Sequence, residues 1–112
     1  MVTMLVTPAS ESPWRIEIAR FGDWLTSRWP DLRSASNVEG QRAHLWVWPD
    51  SHEVWIPSER DCAWVEADPE RTGAVASWLA STTDEPLILC DEGYALVIPL
   101  DGATEAGIAA RL

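Results

Sequence analysis

Trp14, Ile18, Phe21 and Leu25 recur at intervals of four, three and four residues, which places them on one stripe of a helix. Ser12 and Pro13 supply a start, because a serine hydroxyl caps a free amide and proline suits the first helical position. Pro30 disfavours helix at Trp29, so the pattern predicts a helix over 13–28. The polar stretch 31–41, with Asn37 and Gly40, reads as a loop. Two β-rich runs then flank Pro49-Asp50-Ser51-His52 and predict a hairpin with strands 43–48 and 53–57. A four-residue turn sets Trp46 opposite Trp55, Val47 opposite Val54 and Leu45 opposite Ile56. Alternation then gives an aliphatic face (Leu45, Val47, Val54, Ile56) and an aromatic face (Trp46, Trp48, Trp55). The run 62–66 predicts a third strand, with Ala63 and Val65 on one side and Cys62, Trp64 and Glu66 on the other.

Asp68-Pro69-Glu70 is the clearest helix start, and Thr72, Val75, Trp78, Leu79 and Thr82 extend one stripe over a helix at 69–81. Residues 87–98 form a second hairpin, apolar on both faces as in covered central strands, with Gly93 at a turn position needing positive φ. Asp101 can cap a last helix over 103–111, its alanines packed closely on a neighbour and Ile108 and Leu112 turned inward. The order is helix, three strands, helix, two strands, helix. With hairpin connections, that order predicts an α+β fold on an antiparallel sheet, with the helices mainly on one face. The 112 residues suit a single domain, with 1–11 as a candidate flexible N-terminal segment.

Charge narrows the function. Eighteen acidic residues stand against eight arginines, with no lysine, for a net charge of −10. Phosphate neutralisation needs a basic surplus, so nucleic-acid binding is excluded as an expectation, and docking on anionic lipid is disfavoured. A basic partner suits this charge. The first seven residues carry no positive charge and Pro8 follows them, unlike a secretory signal, and no run approaches the roughly 18 apolar residues of a membrane span. Cys62 and Cys90 each sit in an apolar run and read as reduced, buried small hydrophobes, which points to the cytoplasm.

The chemistry of enzymes is poorly represented. His44, His52, Cys62 and Cys90 lack the paired spacing of zinc ligands, so neither a metal nor another cofactor is expected. Cys62 with His44 lacks a supporting elbow or glycine-rich motif, and Asp91-Glu92 reads as turn chemistry. The expectation is a protein without enzymatic activity. Eight tryptophans are the most unusual feature. Tryptophan is enriched at interface hot spots, which makes Trp46, Trp48, Trp55 and Trp64 the candidate partner-binding residues. The alternative is that the helices pack on the aromatic side and bury these indoles.

In element order, size and acidity the chain resembles the class I type III secretion chaperones and the wider bacterial family sharing their fold. Helix 13–28, strands 43–48, 53–57 and 62–66, helix 69–81, hairpin 87–98 and the closing helix carry the resemblance, with no residue motif beneath it. It implies a homodimer that binds segments of a protein partner without catalysis. The leading expectation is therefore a small acidic protein-binding module, a chaperone, adaptor or immunity-type protein that masks a basic or apolar partner. The rival readings are a nucleic-acid mimic that inhibits a DNA- or RNA-binding protein, and a small-ligand domain using the tryptophan face.

Overall fold

The computed structural model describes residues 3–35 and 42–112. Among them the strands are β1 (Met4–Pro8), β2 (Arg33–Ala35), β3 (His44–Val47), β4 (Glu53–Ile56), β5 (Ala63–Glu66), β6 (Leu87–Asp91) and β7 (Val97–Pro99). The helices are α1 (Ile18–Arg28), α2 (Pro69–Ser81) and α3 (Glu105–Ala110). All seven strands join one antiparallel sheet in the order β2-β3-β4-β5-β1-β6-β7. The α+β expectation holds, on a sheet two strands larger than the five predicted.

One of the added strands is central. Residues 4–8, expected in a flexible segment, lie between β5 and β6, with Leu5 opposite both Trp64 and Cys90. Met4, Leu5 and Val6 are all buried. A strand buried on both faces shows no alternation, so Met-Leu-Val carries no period to read. The other addition, β2, falls within the polar stretch read as loop. The rest of that stretch, 36–41 with Asn37 and Gly40, lies outside the described residues.

α1 begins at Ile18, five residues later than the pattern predicts. Ser12 does accept the Trp14 amide hydrogen (3.1 Å), but the turn it closes does not propagate. The Ile16 amide bonds instead to the Arg60 carbonyl (2.8 Å), and Trp14 and Ile16 point inward between exposed neighbours with the period of an extended chain. The four-residue step from Trp14 to Ile18 imitates a helical stripe. α2 matches its predicted span, with proline in its first turn. α3 is shorter than expected and is capped by Thr104, whose hydroxyl oxygen accepts the Gly107 amide (3.0 Å); Leu112 remains 38% exposed where an inward side chain was expected.

α3 lies against α2 so closely that a Cβ on Gly73 would stand 2.7 Å from the Glu105 carbonyl oxygen. Only glycine admits that approach. The helices bury one sheet face: Phe21, Leu25, Val75, Leu79 and Ile108 share a core with Val6, Trp46, Val54, Ile56, Val65, Leu89 and Ile98. Each fully buried large side chain contributes about 1.5–3 kcal/mol of transfer free energy.

The first hairpin is paired one residue away from the expected register. Trp46 faces Val54, Leu45 faces Trp55 and Val47 faces Glu53. The loop is the cause. Trp48 and His52 close it through the Trp48 amide and the His52 carbonyl (2.9 Å), so it holds three residues where four were expected. Ser51 takes the left-handed conformation (φ 72°) that a three-residue loop of this kind requires, and the Asp50 carboxylate accepts the His52 amide (3.3 Å). A slip of one inverts every side chain. Trp46 thus sides with Val54 and Ile56 under the helices, while Leu45 and Val47 turn to the opposite face with Trp55.

The second hairpin is corrected too. β7 starts at Val97 and forms the sheet edge instead of a covered central strand. The positive φ falls on Tyr94 (56°) and not on Gly93. The Asp91 carboxylate holds this loop by accepting the amides of Ala95 (2.8 Å) and Leu96 (3.3 Å).

Candidate functional site

The structure separates the four tryptophans singled out by the sequence. Trp46 (6% exposed) and Trp48 (2%) lie in the core beneath the helices, which removes both from any docking surface. Phe21 meets Trp46 edge-on at 5.4 Å, Trp24 stacks on Trp78 at 4.8 Å, and Trp29 meets Trp48 at 5.3 Å. These pairs tie α1 and α2 to the hairpin, each adding about 0.5–1.5 kcal/mol beyond area burial. Arg71 lies over the Trp48 ring at 4.8 Å, and the buried Trp48 indole N–H has no hydrogen-bond partner among the described residues.

Trp55 and Trp64 do come together, on the opposite side of the sheet. Their rings run parallel with centroids 6.2 Å apart. Pairing across the strands places Ala35, Leu45, Trp55, Trp64, Leu5, Cys90 and Val97 in one row on this face. Leu5, Trp55 and Cys90 are buried yet stand apart from the helix-side core. The Arg42 guanidinium lies 4.1 Å over the Trp55 ring and pairs with Glu53 at 2.8 Å. That cation shields Trp55, leaving 6% of it accessible, while Trp64 and Leu45 stay half-buried and Val97 is 39% exposed. Among the described residues no helix packs on this row.

Sequence reasoning missed Leu5 and Arg42 here. Leu5 belongs to a strand without a readable period, and Arg42 reaches Trp55 only in the observed register.

The thiols are poor nucleophiles. Burial, reinforced by neighbouring Asp61, pushes the Cys62 thiol up to about 12, and burial also raises Cys90. His44 pairs with Ile56 on the helix side, and β4 separates its strand from the one that follows Cys62. The two do not form a nucleophile–base pair.

The second polar assembly pins the hairpin loop to the start of α2. Arg71 bonds Asp50 at 2.8 Å and lies 3.5 Å from Asp68, with the His52 ring nitrogen Nδ1 3.1 Å from its guanidinium. The hydrogen bond from Arg71 holds the Asp50 carboxyl below the usual carboxylate range. Arg71 thus occupies the space between acids that a metal ion would need. Among the described residues no group of three or more His, Cys, Asp or Glu side chains is arranged to hold one.

No helix among the described residues is long and apolar enough to cross a membrane. Comparison with protein-family models, with curated protein sequences and with solved structures returns no match.

Proposed function

We propose that this chain is a small acidic, non-enzymatic protein-binding module of the cytoplasm, a chaperone, adaptor or immunity-type protein that pairs with a second copy and masks a basic or apolar partner. The observation that carries this reading is the apolar row from Leu45 through Trp55, Trp64 and Leu5 to Val97, on the sheet face away from the helices. Around the buried Leu5, Trp55 and Cys90, the half-buried Leu45 and Trp64 and the exposed Val97 offer apolar surface that a partner can cover. Identical chains cover identical patches about a twofold axis, so a second copy is the simplest cover.

A net charge of −10 favours a basic partner over nucleic acid or anionic lipid. The element order that resembles the type III secretion chaperones supports the same class of activity. The central β1 is not among the elements that carry the resemblance.

Trp64 and Trp55 divide the test between them. Trp64 is half-buried in the isolated chain and is the anchor available to a partner. Trp55 is already packed under Arg42. In sedimentation equilibrium the wild-type chain is expected to run above its 12.5 kDa monomer mass. Trp64→Ala should weaken association by about 2 kcal/mol or more, roughly a thirtyfold rise in dissociation constant, with little change in melting temperature. Trp55→Ala should lower folding stability by about 3–5 kcal/mol. A monomer at every concentration, unchanged by Trp64→Ala, would refute the dimer face.

A further inference from the structure

Where β1 starts and β6 ends, beside the first turn of α2, a half-open crevice of about 390 Å³ enters the molecule. Its volume lies within the range of small-ligand pockets. Met4, Ala67 and Thr72, all buried, line it with Leu96. The Thr72 hydroxyl donates to the Ala67 carbonyl (3.4 Å), so its own donor is already used. The ionisable side chains of the lining are two carboxylates, Asp68 and Asp91.

These acids differ. Asp68 lies 3.5 Å from Arg71, which offsets part of its charge. Asp91 has no side-chain cation within ion-pair distance among the described residues, and one of its oxygens already accepts the Ala95 and Leu96 amides. Its other oxygen remains for a ligand. The loop that Asp91 holds also presents Tyr94, 61% exposed in a left-handed conformation that is costly for any residue with a side chain, and Leu112 at the crevice is 38% exposed. Leu96 and the exposed Leu112 thus line an apolar opening with an acidic rim.

We infer that this crevice seats a lysine side chain supplied by a protein partner. The four methylenes of lysine fill the apolar interior while the ammonium stays at the rim against Asp91. Lysine fits better than arginine, because a guanidinium fork seeks both oxygens of a carboxylate and Asp91 has one to give. This chain contains no lysine, so a second copy cannot be the donor. The inference rests on the protein-binding reading and names the chemistry of its partner, at a surface separate from the dimer face.

The test is an amide-resolved NMR titration of the full chain with n-butylammonium, the side chain of lysine alone, against butyrate and n-propylguanidinium. Butylammonium should shift the amides of Ala67, Thr72 and Leu96, propylguanidinium should bind more weakly, and butyrate should leave these amides in place. Asp91→Asn keeps an oxygen for the two backbone amides, so the loop persists, and it should weaken butylammonium roughly fivefold, the scale of a partly exposed charge pair. The inference is overturned if butyrate shifts the same amides as strongly, if Asp91→Asn binds the amine as wild type does, or if the amine moves none of them at roughly 100 mM, where contacts far weaker than millimolar still register. A chain that dimerises yet takes no amine loses this inference alone. One that takes the amine and stays monomeric loses the dimer face alone.

Discussion

Replacing Gly73 with alanine sets two effects of known sign against each other. Alanine in a helix interior is favoured over glycine by about 1 kcal/mol, so on propensity alone the variant should be more stable. The packing says otherwise. The new Cβ would lie 2.7 Å from the Glu105 carbonyl oxygen, 3.3 Å from the Ala109 nitrogen and 3.4 Å from the Ala109 Cβ. Two of these neighbours are backbone atoms of α3, which cannot swing aside as a side-chain tip can. Relief requires α3 to move off α2, disturbing the fully buried Ile108. Overpacking of this sort costs about 1–3 kcal/mol, and with the propensity gain subtracted the net loss is about 0–2 kcal/mol. For a domain of this size that corresponds to a fall of roughly 4–8 °C per kcal/mol in melting temperature.

Gly22 supplies the control. Its added Cβ would approach Trp46 Cζ2 to 3.3 Å, a side-chain contact a few tenths of an ångström too close. Gly22→Ala should therefore change stability by less than about 0.5 kcal/mol, as propensity offsets crowding. Thermal and urea melts of both variants decide the matter. A Gly73→Ala chain more stable than wild type would show that α3 does not dock on α2 as described.

Truncation of residues 1–8 should abolish cooperative folding in urea melts followed by far-UV circular dichroism, because β1 joins β5 to β6; a truncated chain with wild-type stability would refute its central position. With its pKa near 12, Cys62 should react with iodoacetamide at pH 8 at least about a hundredfold more slowly than a free thiol. The same raised pKa makes unfolding release a proton at high pH, so its stabilising contribution is full below about pH 9 and lost between there and about pH 12. Cys62→Ala should flatten that limb of the stability profile, and an unchanged slope would contradict the assignment. Asp50 carries the opposite sign: its lowered pKa stabilises above the usual carboxylate range and is lost on acidification, so Arg71→Gln should remove that acid-side dependence.

Local chemistry determined part of this protein outright. α2 follows from Asp68-Pro69-Glu70 and its apolar stripe, because proline at a helix start and a 3.6-residue period act within the segment itself. The strands around 43–66 and the first strand of the second hairpin likewise follow from short β-rich runs between turn residues. The α+β class follows from the order of these elements.

What lay beyond the sequence is whatever depends on a distant partner. β1 is three apolar residues, a threonine and a proline in isolation; strands more than fifty positions away make it the centre of the sheet. Trp14 and Ile16 are extended because the Ile16 amide finds Arg60. The fate of the tryptophans turned on a single residue of loop length. Both registers keep Trp46, Trp48 and Trp55 on alternating strand positions, and only the left-handed Ser51, closing the loop at Trp48 and His52, decides between them. That choice parted Trp46 and Trp48 from Trp55, which shares the other face with Trp64. Side-chain type carries no record of which face a strand turns inward, because the pleat makes the two assignments locally equivalent and only packing against the helices distinguishes them.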